Sequence, residues 1–396
     1  MSDNKKLILK VACLPWANES RDKRELSVCR ELGYDVAVLA KGEPEDRGRI
    51  EDVAGFKVYR YSVRPFGGKL PHSLSKVLSL FTWASYIRKL SPYALTCHDI
   101  SALTIGWLST LFLPKAGKPK LIYDSHEFEI GRSEKRSKLA VLGVTYLERF
   151  LMSRCEFSIM VNDSIADEVQ RIHRLAERPV VVRNTPNYWH IDKASCGEVR
   201  RQLLGAFSFL DGEEEPFIIM YHGGLLGHRG IETVLRVAAA NSHVRAVVLG
   251  NGKPEYVAEL KNMARELSVE DRVLFHPAVP IDVLWKYVGA VDLSLVMIEG
   301  IVKNHYFSLP NKFFESIQSL TPLVTSNFPE LKRIVEGYGI GLSCDPEDID
   351  AVSECVERMR TDRAFYESCC ENLRLAKEEL CWEKEKHNLI NAYKKI

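Results

Sequence analysis

Short apolar runs alternate with stretches of helical periodicity from one end of the chain to the other. In the first half the runs Leu7 to Cys13, Asp35 to Ala40, Phe56 to Tyr61, Ala94 to His98, Lys120 to Asp124, Phe157 to Val161 and Val180 to Arg183 predict strands. Arg24 to Leu32 and Tyr146 to Arg154 read as helices between them. Strand and helix in alternation mean βαβ units and a parallel sheet. The pattern lapses from Asn184 to about Pro216, where N-T-P-N-Y-W-H, a short helix and the acidic D-G-E-E-E-P read as an interdomain connection. It restarts with strands at Phe217 to His222, Val244 to Gly250, Arg272 to Phe275, Leu293 to Met297, Leu323 to Thr325 and Gly341 to Ser343. The expected fold is therefore α/β, with two doubly wound domains. Ligands of open α/β sheets bind outside the carboxyl ends of the strands, so two such domains facing each other would make a cleft.

Composition narrows the function. A chain of 396 residues is too long for one ordinary core. Its net charge of +1, with 27% charged residues, argues against a nucleic-acid partner, which needs a strongly basic domain. Ten cysteines are scattered without a C-x-x-C pair, which predicts free thiols, no disulfide and no zinc. Met1 to Lys6 leads straight into L-I-L-K-V-A-C with no cleavage pattern, which predicts a cytoplasmic protein. No apolar run reaches the roughly 18 residues of a spanning helix. Val77 to Ile87, flanked by Lys69, Lys76, Arg88 and Lys89, and Ser101 to Leu113 fit two descriptions. Each reads as a helix at a membrane surface or as a helix covering a parallel sheet.

Candidate chemistry clusters after strands. F-S-L-P-N-K-F-F-E, Phe307 to Glu315, follows the strand at Leu293. Pro310 and Asn311 favour a break, and the apolar spacing beyond them predicts a helix beginning near Asn311. The free amides of such a helix face an anion, Lys312 adds a cation, and Glu315 one turn in can take two ribose hydroxyls. An Asn-capped surface helix is the other reading. Tyr221 to Leu235 reads as strand, Gly-rich loop and helix: Gly223 and Gly224 let amides approach a phosphate, and Arg229 can fork onto two of its oxygens. The loop has neither the G-x-G-x-x-G spacing of a dinucleotide site nor a P-loop. L-G-N-G, Leu249 to Gly252, reads as a loop near the nucleotide. In the first half, His98 and Asp99 follow one strand, and D-S-H-E, Asp124 to Glu127, ends the next.

These segments, in this order and spacing, resemble group 1, or family 4, glycosyltransferases of the GT-B architecture. R-D-K-R-E-L-S-V-C-R-E-L-G-Y-D-V-A-V-L, K-L-I-Y-D-S-H-E, Y-L-E-R-F and V-V-V-R-N-T-P resemble the first domain. Y-H-G-G-L-L-G-H-R-G-I, S-L-P-N-K-F-F-E and V-T-S-N-F-P-E-L-K-R-I-V resemble the donor domain. The resemblance implies two Rossmann-like domains, at 1–190 with a C-terminal helix 380–396 crossing back, and at 191–379. It implies retaining transfer of a sugar from a nucleotide diphosphate sugar to a saccharide or lipid-linked acceptor, in cell-envelope or surface polysaccharide synthesis. Glu315 would hold the ribose, Arg229 the diphosphate, and Lys312 with Ser308, Leu309, Pro310 and Asn311 would lie beside the phosphates. His126 would lie near the donor sugar, with His98, Asp99 and Glu127 as acceptor-side candidates.

Two positions depart from the family pattern. Many relatives carry a second glutamate where this chain has Phe307, and an arginine where it has Gly224. No paired carboxylates mark a double-displacement nucleophile, and no D-x-D motif follows a strand, so neither a metal nor another cofactor is expected. Asp348 and Asp350 belong to a helix start. A non-catalytic GT-B subunit, motivated by Phe307, and a nucleotide-sugar epimerase of the same fold are the alternatives. Contact of the Val77 to Ile87 segment with the inner face of a membrane is a further expectation.

Overall fold

The computed structural model describes residues 5–16, 20–43, 46, 48–62, 71–132, 136–207 and 215–396. Lys69 and most of the acidic D-G-E-E-E-P segment lie outside these residues. The chain divides into two compact units, Met1–Arg183 with Lys386–Ile396, and Asn184–Glu385.

Among the described residues, the first unit is built on an eight-stranded sheet, ordered β3-β4-β2-β1-β5-β6-β7-β8. The strands are β1 (Leu7–Ala12), β2 (Asp35–Gly42), β3 (Arg49–Val53), β4 (Phe56–Ser62), β5 (Ala94–His98), β6 (Lys120–Asp124), β7 (Phe157–Met160) and β8 (Val180–Val181). All neighbours pair in parallel except β3, which runs antiparallel to β4 at the edge. Helices α1 (Ser20–Glu31), α2 (His72–Leu90), α3 (Asp99–Thr110), α4 (Lys138–Met152) and α5 (Asp163–His173) connect these strands. Because helices cover the sheet, its central strands are buried without alternation: every residue of β5 is buried, and Ile8, Leu9 and Val11 of β1 are fully enclosed. Burying each such side chain contributes about 1.5–3 kcal/mol. Asn162 starts α5 by accepting the Ile165 amide at 2.8 Å.

The second unit carries a six-stranded parallel sheet in the order β11-β10-β9-β12-β13-β14. Its strands are β9 (Phe217–His222), β10 (Val244–Leu249), β11 (Val273–His276), β12 (Leu293–Val296), β13 (Leu323–Ser326) and β14 (Gly341–Cys344). Around it run α6 (Lys193–Gly205), α7 (Ile231–Ala240), α8 (Pro254–Glu266), α9 (Ile281–Val288), α10 (Lys303–Tyr306), α11 (Asn311–Gln318), α12 (Pro329–Tyr338), α13 (Ile349–Thr361) and α14 (Arg363–Glu379). The caps are local chemistry: Asp192, Asp348 and Asp362 each accept first-turn amides, and Gly339 ends α12 in the left-handed region. Asp348 is thus a helix cap, as its helix-start context predicts.

The last helix, α15 (Trp382–Tyr393), ends in the first unit, where the Tyr393 and Thr96 hydroxyls lie 2.7 Å apart. The amphipathic pattern of C-W-E-K-E-K-H-N-L-I-N-A-Y-K-K-I offers Trp382, Leu389, Ile390 and Tyr393 as anchors, and of these Trp382, Leu389 and Tyr393 are buried while Ile390 is partly exposed. On α2, the expectation of a membrane face needs correction at Trp83. Its ring is 1% exposed and donates to the Ser62 carbonyl at 3.0 Å, so it is core, whereas Leu74, Val77 and Phe81 stand exposed.

Candidate active site

In the second unit the turn after β9 is fixed by its glycines. Gly223 has φ +124°, a conformation that favours glycine, and its amide bonds the Leu249 carbonyl at 3.0 Å. Gly230, at φ +79°, ends the loop so close to the end of β12 that a Cβ would lie 1.9 Å from the Met297 carbonyl oxygen. This contact presses the segment carrying Arg229 onto the loop that follows β12.

Gly223 and Gly224 line a cleft of about 310 Å³ with His222, Leu249, Gly250, Asn251, Ala278, Val279, Leu284 and Glu315. That volume is at the lower end for a small-ligand site. The L-G-N-G loop is therefore part of its wall. Glu315 sits one turn into α11, and His222 Nε2 lies 3.1 Å from its Oε2.

Lys312 runs beneath the turn: a Cβ on Gly223 would meet its Cε at 3.7 Å, and its ammonium lies 3.4 Å from the centre of the Tyr221 ring. Among the described residues its Nζ is buried without a hydrogen-bond partner. Burial, and then repulsion from Arg229, hold its pKa well below the ordinary lysine range against the opposing charge of Glu315. Lys312, read from the sequence as a cation beside the phosphates, is thus a buried side chain. Arg229 is half-buried and has no carboxylate partner among the described residues.

The remaining turn residues are structural as well as adjacent. Helix α11 does begin at Asn311, but Asn311 is not its cap: Pro310 occupies that place, and the Asn311 side-chain oxygen Oδ1 accepts from the Asn184 side-chain amide at 2.8 Å. Ser308 donates to the His305 carbonyl at 2.8 Å, and Leu309 packs against the core beside Phe313 and Phe314.

In the first unit, the ends of β5 and β6 gather the other candidates around a buried charge cluster. Lys10, fully enclosed in the middle of β1, reaches Asp22 and Glu25 on α1 at 3.0 Å each and also bonds Asp124 at the end of β6. Arg21 bonds Glu25 at 2.8 Å and Asp124 at 3.0 Å. Burial opposes the charge on Lys10, but the three carboxylates outweigh it and keep the ammonium well above its ordinary range. Burial likewise opposes ionisation of Asp22 and Asp124, and the Lys10 charge wins, lowering both.

Two cations against three carboxylates leave one negative charge in excess, which His98 is placed to balance. Burial disfavours its charged form, but the Asp22 hydrogen bond at 3.4 Å helps tip its pKa upward. His126 stacks on His98 with ring centres 3.7 Å apart, and its Nε2 lies 2.9 Å from Asp124 Oδ2. With Nε2–H given to Asp124, Nδ1 is the nitrogen left for a ligand. Asp99, in the left-handed region at φ +66°, and Glu127 both pair with Arg132, at 3.4 and 2.6 Å. His98, Asp99, His126 and Glu127 therefore form one group, as their places after strands predict.

Sequence reasoning missed Lys10, Arg21, Asp22 and Glu25. A lysine inside the apolar run L-I-L-K-V-A is the signal that could have found them, because a buried ammonium demands countercharges. It also missed Glu299, whose Oε2 lies 2.5 Å from His228 Nδ1.

Two parallel-sheet Rossmann-like units, with a glycine turn and a helix-borne glutamate lining one cleft, define a GT-B glycosyltransferase. Family models agree over most of the chain: "Glycosyl transferase 4-like domain" matches residues 26–185 and "Glycosyl transferases group 1" matches residues 207–376. The chain belongs to the group 1 glycosyltransferases and is an enzyme of sugar transfer. It is 24% identical to the uncharacterized glycosyltransferase MJ1607 of Methanocaldococcus jannaschii, over 98% of each chain. Among solved structures it resembles HepE of Anabaena, crystallised with UDP, at a TM-score of 0.76 and 13% identity over 99% of this chain and 100% of that one. It also resembles sucrose-phosphate synthase of Thermosynechococcus elongatus, at a TM-score of 0.75 and 17% identity over 99% of each.

Proposed function

We propose that the enzyme takes its sugar from a nucleotide diphosphate sugar and transfers it with retention to an acceptor hydroxyl. The donor lies on the second unit. Its ribose hydroxyls bond Glu315, the base rests against the Gly250 to Val279 wall, and the diphosphate meets the Gly223 and Gly224 amides, Arg229 and Lys312. The observation that carries this reading is the convergence of Glu315, held by His222, with the glycine turn and the unpartnered Lys312 ammonium. Lys312 passes under the very turn in which Gly224 replaces the arginine of many relatives, so it supplies the missing cation.

Departure of the nucleoside diphosphate builds negative charge on its β-phosphate. Preorganised amides and the two cations stabilise that charge more in the transition state than in the ground state. Attack from the same face, with the leaving phosphate taking the acceptor's proton, accounts for retention without a protein nucleophile. On the first unit, His126, its ring fixed by Asp124, is the residue offered to the sugar, and His98, Asp99 and Glu127 are those offered to the acceptor. No metal takes part.

The reading is tested by thermal shift with UDP, GDP, ADP and CDP, followed by donor hydrolysis. One diphosphate at 100 times its dissociation constant should add about 2.7 kcal/mol of stability. The matching nucleotide sugar should be cleaved slowly in water. A protein that binds a diphosphate but cleaves no sugar from it would instead be a non-catalytic subunit. HepE's complex with UDP makes UDP the first nucleotide to try.

The acceptor is lipid-linked, and the reaction belongs to envelope or surface polysaccharide synthesis at the cytoplasmic face of the membrane. Supporting this reading, the exposed Leu74, Val77 and Phe81 share one face of α2, and Leu139, Leu142 and Tyr146 form a second apolar stripe on α4. No helix among the described residues is long and apolar enough to cross a membrane. Sedimentation with anionic liposomes tests the contact: wild type should bind, and Phe81→Ser with Leu142→Ser should weaken it without loss of fold.

A further inference from the structure

The donor reading accounts for ribose and diphosphate but leaves the sugar's own hydroxyls without a carboxylate, because Phe307 stands where many relatives have glutamate. The second unit offers carboxylates around its glycine turn. Glu315 belongs to the nucleoside, and Glu232 is taken up on one oxygen by the Tyr256 hydroxyl at 2.6 Å. Glu299 is differently placed. It follows β12 on the loop against which the glycine turn is pressed, and three contacts join that loop to the segment bearing Arg229. The Glu299 amide bonds the His228 carbonyl at 3.3 Å, the His228 ring holds the Glu299 carboxylate at 2.5 Å, and Gly230 abuts Met297. From the other side, His305 lies 3.2 Å from the Glu299 carbonyl oxygen.

The carboxylate is thus fixed, partly exposed, and tied to the immediate neighbour of the proposed diphosphate cation. A donor's sugar is bonded directly to its β-phosphate, so whatever grips that phosphate at Arg229 brings the sugar into this vicinity. A carboxylate accepts two hydroxyl hydrogen bonds at once and confers geometric selectivity on a pyranose. His228 occupies one side of one oxygen and leaves the remaining lone pairs for such hydroxyls. Its backbone sits at φ +62°, a conformation uncommon outside glycine, as befits a residue held by the turn rather than by its own preference.

Resting on the donor reading above, we infer that Glu299, oriented by His228, is the carboxylate that binds hydroxyls of the donor sugar and so takes the role that Phe307 cannot. The residue would set which sugar is accepted, while Glu315 sets the nucleoside.

Titration calorimetry on the full chain separates the two. UDP, GDP, ADP and CDP are compared with their glucose conjugates on wild type, Glu299→Gln and Glu299→Asp. The inference expects both variants to bind the preferred diphosphate within about twofold of wild type, which also reports that they fold. Glu299→Gln should bind the matching conjugate about tenfold or more weakly, the size of effect of a charged hydrogen bond. His228→Leu, which removes the positioning ring, should lower the conjugate-to-diphosphate affinity ratio in the same direction. An unchanged ratio in Glu299→Gln, or equal weakening of diphosphate and conjugate, overturns the inference and leaves the donor reading standing. A wild type that binds neither ligand of any pair overturns both.

Discussion

The Lys312 Nζ lies 3.4 Å from the centre of the Tyr221 ring and has no hydrogen-bond partner among the described residues. A lysine kept this way, well below its ordinary pKa by burial and by Arg229, gains a proton when an anion arrives. Tyr221, Arg229 and Glu315 are the titratable groups facing it, and of these Glu315 alone favours the charge. The bound pKa is the higher one, so the complex holds more protons than the free enzyme. Diphosphate affinity is therefore greatest below the free-state pKa and falls as pH rises toward the bound-state value. Calorimetry in buffers of different ionisation enthalpy, run across the pH range below the ordinary lysine value of 10.5, should show net proton uptake that is lost in Lys312→Met. Wild-type binding without uptake anywhere in that range would mean that Lys312 is already charged or does not meet the phosphate.

Arg229 should matter most during bond breaking. Arg229→Ala is expected to lower turnover about 10²- to 10³-fold, comparable to removal of a preorganised donor, while barely changing affinity for the nucleoside monophosphate. Equal loss of monophosphate and diphosphate binding would place Arg229 at the base or in the fold.

Much of this arrangement is legible in the sequence, and the omissions have physical causes. Thirteen of the strands in the two sheets follow from apolar runs, within two residues at each end. The exception, β3, reads R-I-E-D-V and pairs only at the sheet edge, so its residues alternate between solvent and partial cover and leave no apolar run. Helix α10, four residues long, is too short to show periodicity. On α2 several faces carry apolar residues, so sequence cannot tell that Trp83 turns inward while Phe81 turns out. At the site, the residues that follow strands are predictable because the fold itself sends strand ends to the ligand. The contact of Lys10 with Asp124 spans 114 positions, and that of His228 with Glu299 spans 71, so only folding reveals them.

The buried charge cluster makes its own prediction. Lys10→Ala leaves Asp22, Glu25 and Asp124 without their shared cation and should destabilise the first unit by about 3–5 kcal/mol. Asp22 and Asp124 have depressed folded-state pKa values, so their contribution is present above their ordinary value of 3.8 and disappears as pH falls through the folded values. Thermal unfolding across acid pH should therefore show a steeper loss in wild type than in Lys10→Ala. Superimposable curves would show that the cluster does not contribute.

Metal independence is testable despite a cluster that looks able to bind a cation. Asp22, His98 and His126 offer donor atoms within 4.8 Å of one another, as do Asp22, Glu25 and Asp124. The Lys10 ammonium already supplies the positive charge among the acids, and the phosphates have amides and cations of their own. Donor hydrolysis should proceed at full rate in excess EDTA. Loss of turnover restored by magnesium or manganese would contradict this mechanism.

The central claim, that Glu315 holds the ribose of a nucleoside diphosphate, is tested most directly by a binding cycle. The diphosphate that stabilises the protein best and its 2′,3′-dideoxy analogue are titrated into wild type and Glu315→Ala. Hydrogen bonds to a charged group contribute roughly 1.5–3 kcal/mol each, so wild type should bind the analogue at least about tenfold more weakly than the parent. In Glu315→Ala the two ligands should bind alike, because the group that distinguished them is gone. If Glu315→Ala prefers the parent as strongly as wild type does, the ribose lies elsewhere and the donor site is misassigned.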